Sequence, residues 1–184
     1  MNPMKIFTQV ISVAIALIIV GAISFYFYSS KTPTATSVIG GIKPEAAAAI
    51  AQSSFYDLSE KVQPLAQWQG KVLIINFWAT WCPPCRAEIP EFIRFQKQYG
   101  KQGVQFVGIA IDQKSKVDTY AKKIGMNYPV LLGDLAGIEL AKRIGNSEAG
   151  LPYTVIVDRS GKVITTQLGT LSFEKLEAIV LPLL

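Results

Sequence analysis

The chain has 184 residues, half of them hydrophobic, with 18 Lys and Arg against 13 Asp and Glu for a formal net charge of +5. The basic residues are scattered, with only the doublets Lys122-Lys123 and Lys142-Arg143, so they read as a solvated surface and not as a nucleic-acid-binding stripe. Histidine is absent, which removes His-ligated zinc, His-ligated haem and His-activated nucleophiles together.

From Ile6 to Ser30 there are 25 residues without a charge, bounded by Lys5 and Lys31. As a helix they would reach roughly 37 Å, against a hydrocarbon core of about 30 Å. The stretch ends in Phe25-Tyr26-Phe27-Tyr28, which suits an interfacial aromatic belt. Residues 1–30 therefore read as one uncleaved transmembrane anchor. A cleaved signal peptide is the alternative, with Thr34-Ala35-Thr36 as its cleavage candidate. The short N-terminal flank favours N-in, C-out, with the rest of the chain on the periplasmic or extracytoplasmic side.

Residues 31–54 read as a linker. It is rich in Thr, Ser, Pro and Gly up to Gly41, then carries a short Ala-rich helix with Pro44 and Glu45 in its first turn, a spacer or an embellishment. Residues 55–184 are long enough for one domain with its own core. Lys71 to Trp78 is a continuous apolar strand, buried on both faces by its pattern. Pro83 to Tyr99 is a helix that closes at Gly100. A strand over Val104 to Ile111 precedes a helix over Lys114 to Ile124, with Gly125 as its C-cap. Pro129 to Leu132 is a short strand and Leu135 to Ile144 a helix ended by Gly145. Tyr153 to Asp158 and Lys162 to Gln167 are joined by the hairpin signal Arg159-Ser160-Gly161. Ser172 caps a closing helix that runs to Leu183. This order predicts an α/β domain with a mixed central β-sheet and helices on both faces.

The only two cysteines, Cys82 and Cys85, stand at C-x-x-C spacing where the buried strand hands over to a helix. A helix N-terminus favours a thiolate, and a second thiol one turn on is the working part of thiol–disulfide exchange. One vicinal pair staples little of a domain this size. Zinc would need four ligands, and no others of that type are present. Cu(I) accepts two soft thiolates, so a copper-holding pair remains open. Arg86 stands where covalent haem attachment would need histidine. Pro83 and Pro84 fall where a helix can lack N–H donors without cost, and Pro90, inside the helix, is expected to kink it.

The run Asn76-Phe77-Trp78-Ala79-Thr80-Trp81-Cys82-Pro83-Pro84-Cys85-Arg86-Ala87-Glu88-Ile89-Pro90 resembles the membrane-anchored, thioredoxin-like thiol:disulfide reductases of the TlpA/ResA type. Gly150-Leu151-Pro152-Tyr153-Thr154, followed by the hairpin Asp158 to Lys162, matches in the right order, and the resemblance covers roughly 63–184. It implies a thioredoxin-like fold in which Cys82 attacks and Cys85 resolves, with the Cys82–Cys85 disulfide as the redox centre and no further cofactor or metal. It also implies a cis Pro152, with the Leu151 main chain offered to substrate, and a surface shaped by Trp81, Pro83 and Pro84. A trans proline opening an edge strand is the alternative for Pro152, and Trp78 reads as a packing residue. Asn76 replaces the buried Asp of many thioredoxins, and Glu88, three residues after Cys85, is the candidate acid–base group in its place. A solvated Glu88, or one paired with Arg86 or Lys97, is the alternative.

By the same resemblance, the partners are protein disulfides or thiols, of the cytochrome c maturation or copper-site assembly type, and a membrane thiol donor of the DsbD/CcdA kind. A Cu(I)-delivery module, or an oxidase or isomerase on the same fold, are the competing functions.

Overall fold

The computed structural model describes residues 44–184. The expected anchor over 1–30 and the first part of the linker lie outside them, and among the described residues no helix is long and apolar enough to cross a membrane.

Helix α1 (Pro44–Ala51) is followed by β1 (Ser54–Asp57), β2 (Val62–Pro64), a 3-10 turn (Leu65–Trp68) and β3 (Val72–Trp78). Then come α2 (Pro83–Tyr99), β4 (Val104–Ala110), α3 (Lys114–Ile124), β5 (Val130–Leu132) and α4 (Asp134–Arg143). Strands β6 (Tyr153–Val157) and β7 (Val163–Leu168) precede α5 (Phe173–Val180). One seven-stranded sheet has the order β2-β1-β5-β4-β3-β6-β7. The β3/β4 and β4/β5 pairs are parallel and the others antiparallel, so the sheet is mixed as expected.

All seven residues of β3 are buried, because helices cover both faces of the sheet. The period of two divides them. Leu73, Ile75 and Phe77 pack with Leu140, Ala141 and Ile144 at α4 and with Ala46, Ala49 and Ile50 of α1. Val72 and Ile74 face the other way, onto Phe92 and Phe95 of α2 and Leu176 and Val180 of α5. The spacing of Ala46, Ala49 and Ile50 puts one small apolar stripe on α1, and its burial makes that helix part of the folded unit.

Three local details differ from expectation. The β1–β2 hairpin was not anticipated: its strands are four and three residues long, with half-exposed faces and no apolar run. Helix α2 ends at Tyr99, but Gly100 stays right-handed (φ −56°), and the chain continues through a 3-10 turn to the left-handed Gly103 (φ 102°). The closing helix ends at Val180, where Pro182 leaves only a 3-10 turn, Leu181–Leu183. Gly125 (φ 72°) closes α3 as expected, its N–H bonded to the Ala121 and Lys122 carbonyls.

Ser172 caps α5, its side chain accepting the Lys175 N–H at 3.3 Å. Ser172→Ala is expected to cost about 1 kcal/mol, readable as a lowered urea midpoint with an unchanged slope.

Candidate active site

Strand β3 ends at Trp78 and α2 begins at Pro83, so the intervening turn lies at the carboxyl end of the parallel strands. Cys82 is the N-cap of α2 in extended conformation (φ −91°, ψ 105°). Pro83 and Pro84 occupy the first two helical positions and have no N–H. The first free amide of the helix is therefore that of Cys85, which donates to Cys82 Sγ at 3.3 Å. Arg86 N–H then makes the first helical bond, to the Cys82 carbonyl. The two prolines thus leave one amide in this turn, and it is aimed at the first sulfur, where it and the helix dipole stabilise negative charge.

Cys82 and Cys85 form a disulfide. In this state Cys82 is only 3% exposed and Cys85 is fully buried. Trp78, Ala79, Ile89, Ala110 and Val117 pack around the pair, with Leu151 against it. Trp81 remains 62% exposed beside the disulfide, and Pro83 and Pro84 are exposed as well. The helix runs through Pro90 without a break.

The Leu151–Pro152 bond is cis. Among the described residues neither the N–H nor the C=O of Leu151 has a hydrogen-bond partner. The preceding loop is held by Asn146, a buried residue that the sequence reading passed over. Its Nδ2 donates to the Gly150 carbonyl (2.9 Å) and its Oδ1 accepts the Gly150 N–H (3.1 Å). The signal in the sequence was only an Asn four residues before a Gly-Leu-Pro. Asn146→Ala leaves both Gly150 groups without their partner and is expected to cost about 2–4 kcal/mol in urea unfolding.

Glu88 is 3% exposed, not solvated, while Arg86 and Lys97 are exposed. One turn after Cys85 it points inward: Oε1 accepts from Asn76 Nδ2 (2.9 Å) and Oε2 from the Leu171 N–H (3.0 Å). Asn76 also donates to Thr154 Oγ1 across the β3/β6 pair (3.1 Å). Burial pushes the Glu88 carboxyl up to about 7, against the two hydrogen bonds, which act to lower it. Asn76 therefore does not stand alone in place of an Asp; it orients the carboxyl. Leu171, which supplies the second donor, is 83 residues away in sequence and carried no signal.

Trp78 is fully buried and packs at 5.6 Å on Tyr120, as a packing residue should. Its Nε1 has no partner among the described residues. Gly108 leaves it room, since a Cβ there would stand 3.0 Å from Trp78 Nε1. The turn itself is tied to the end of β4, where Asp112 accepts both the N–H and the hydroxyl of Thr80. Burial acts to raise the Asp112 carboxyl, but hydrogen bonds from Thr80 and Gln113 outweigh it and hold it below the usual carboxylate range.

A mixed sheet that carries a disulfide at a helix N-terminus, faced by a cis-proline loop, defines a thioredoxin-like thiol–disulfide exchange protein. The redoxin family model matches residues 31–180. Thiol-disulfide oxidoreductase ResA of Geobacillus kaustophilus is 28% identical over 170 residues, 91% of each chain. The protein of the same name from Bacillus thuringiensis is 30% identical over 167 residues, 90% of each chain. Among solved structures, a thiol:disulfide interchange protein of Chlorobium tepidum superposes with a TM-score of 0.66 at 34% identity, covering 71% of this chain and 92% of that one. The dsbF structure from MTB gives 0.65 at 25% identity, covering 74% and 98%. The chain belongs to the redoxin family and is a thiol-disulfide oxidoreductase of the ResA/DsbE type, whose substrates are protein thiols and disulfides.

Proposed function

We propose that this oxidoreductase works outside the cytoplasmic membrane, tethered by residues 1–30, and in the reducing direction. Cys82 attacks a protein disulfide, and Cys85 breaks the resulting mixed disulfide. Glu88 supplies and takes up the proton at Cys85. The observation that carries the reading is the single free amide at the start of α2, aimed at Cys82 Sγ, in the buried cluster against which Leu151 packs. The uncharged stretch Ile6 to Ser30 supports the tether. A periplasm is kept oxidising, so a reductant there needs its own supply of electrons. A membrane thiol donor of the DsbD/CcdA kind fits that need. Substrates of the cytochrome c maturation or copper-site assembly type follow from resemblance to the reductases.

The test is the equilibrium reduction potential in a thiol buffer. A value at or below about −270 mV, the thioredoxin level, is the expected result. A value near about −120 mV, that of a strong oxidant, would overturn the reducing direction while leaving the exchange chemistry in place.

A further inference from the structure

Helix α3 stands beside the dithiol, and its outer face is basic. Val117 and Ala121 pack into the cluster that holds Cys82 and Cys85, so the helix is fixed against the reacting turn. A shallow groove runs along it, lined by Ser115, Lys116, Thr119, Tyr120 and Lys123 and bounded by Thr80 of the turn that leads into Cys82. Lys116, Tyr120 and Lys123 recur at the spacing of one helical face. The two lysines are two turns apart, roughly 10 Å along the axis. Tyr120 is anchored between them on Trp78, at 5.6 Å. Arg86, exposed in the first turn of α2, adds a third cation. Burial raises the Tyr120 hydroxyl, and the nearby Arg86 charge acts against it. The fold thus gathers beside the dithiol three cations that are scattered in the sequence.

These charges are not spent within the domain. On the same helix Lys114 pairs with Glu60 at 2.5 Å and Lys122 with Asp118 at 2.7 Å. Arg86, Lys116 and Lys123 form no ion pair among the described residues. Asp112, just before the helix, is already engaged by Thr80 and by the Gln113 N–H. Burial opposes its charge, those bonds favour it, and Lys116 adds to them. No residue lining the groove is acidic. A cationic groove beside a reacting centre attracts and orients an anionic partner. An anionic bilayer lying on α3 would cover Thr80 and the turn behind it, so the arrangement favours a protein.

We propose that the groove between Thr80 and α3 docks the partner protein, through a short run of aspartate or glutamate that flanks the partner's reacting cysteine. Its role rests on the exchange reading given above, but not on the direction of exchange. The attraction speeds encounter and weakens with salt. Acidic partners are thereby selected by rate.

The test uses the full-length chain carrying Cys85→Ser, in uncharged detergent, and peptides whose single cysteine is held as a mixed disulfide with thionitrobenzoate. All share a Ser/Gly background and carry a short Asp run, a short Lys run or neither on one side of the cysteine. The Cys82 thiolate attacks the peptide sulfur. A Cys82–peptide disulfide forms, the peptide–thionitrobenzoate bond breaks, and thionitrobenzoate leaves as a coloured thiolate, so oxidation states balance. Its absorbance gives the second-order rate constant. At about 20 mM salt the Asp peptide is expected to react about tenfold faster than the neutral one, and the Lys peptide more slowly. At about 0.5 M salt the ratio should fall toward one. Lys116→Glu with Lys123→Glu should bring the low-salt ratio to one or below. Lys142→Glu with Arg143→Glu, the same charge change in the last turn of α4, should lower it much less. Lys116→Gln with Lys123→Gln repeats the comparison if the glutamates disturb folding. Equal constants for the Asp and neutral peptides at low salt would overturn the docking surface alone. An equal drop in both Glu double variants would assign the preference to net charge and overturn the groove. Protection of Lys116 and Lys123 from acetylation in phosphatidylglycerol vesicles, but not in phosphatidylcholine vesicles, would give the face to the membrane instead. Reaction with none of the peptides would overturn the exchange reading itself, and the groove's role with it.

Discussion

Replacing Cys82 by Ser is expected to abolish exchange, while replacing Cys85 by Ser is expected to accumulate a covalent complex with substrate. The asymmetry follows from the first turn of α2. Only one amide is free there, and it serves Cys82 Sγ. Deleting the residue that carries the attack removes the reaction as a whole, on the order of 10³-fold or more in kcat/KM. The chain holds no third cysteine to substitute. In the disulfide state Cys85 is fully buried and Cys82 is 3% exposed, so on the proposed roles Cys82 is the sulfur that a substrate meets first. Without Cys85 the first step still occurs, but the mixed disulfide has no resolving thiol. Non-reducing electrophoresis with a disulfide-bearing protein substrate checks both statements in one experiment. A trapped complex with Cys82→Ser, and none with Cys85→Ser, would reverse the two roles.

The second large effect concerns pH. The Glu88 carboxyl, at about 7 in the folded protein, lies above its ordinary value of 4.5, because burial disfavours the charged form. Between those values the folded state holds a proton that the unfolded chain has released. The contribution of this carboxyl to stability is therefore full below about pH 4.5, falls as pH rises, and levels off above about pH 7. At about 1.4 kcal/mol per pH unit, the loss is on the order of 3–4 kcal/mol. Glu88→Gln cannot ionise, so its stability should stay nearly flat over the same window, though lowered throughout by an imperfect fit to the Asn76 and Leu171 donors. Urea unfolding of the disulfide-bonded chain from Lys43 onward, at pH 5 and pH 8.5, separates the cases. A wild-type midpoint that moves no more than the variant's would remove the buried carboxyl from the explanation. The same titration crosses neutral pH, where a general acid–base group at Cys85 has to work. Exchange rates that depend on pH in the wild type and lose that dependence in Glu88→Gln would tie the carboxyl to the chemistry. Unchanged rates would leave Glu88 with a packing role.

Much of this protein was legible in one dimension because its signals are local. A buried central strand shows as an unbroken apolar run, as over Val72–Trp78, since helices cover both faces of the sheet. The start of α2 shows as C-P-P-C, because proline is at ease only in the first helical turn. The ends of α3 and the start of α5 show as Gly125 and Ser172 for equally local reasons. The β1–β2 hairpin was hidden. Strands of four and three residues at this end of the sheet bury too few side chains to leave a periodic trace, and the pairing of β1 with β5 joins segments more than 70 residues apart.

What the sequence by itself determined is the presence of the dithiol, its place at a strand-to-helix turn and the alternating α/β order around it, while the cis Pro152 was legible only through the resemblance of Gly150-Leu151-Pro152 to a family motif. Each depends on residues within one or two turns of each other, or on a motif carried as a contiguous word. Tertiary structure alone decided that Glu88 is buried, that Asn76 and the Leu171 amide hold it, that Asn146 clamps the loop before Pro152, and that Lys116 and Lys123 line one groove with Thr80. Those facts arise where segments up to 83 residues apart meet. Burial and the supply of hydrogen-bond donors belong to the packed arrangement, not to any residue in it, so a glutamate reads the same in sequence whether it faces water or the core.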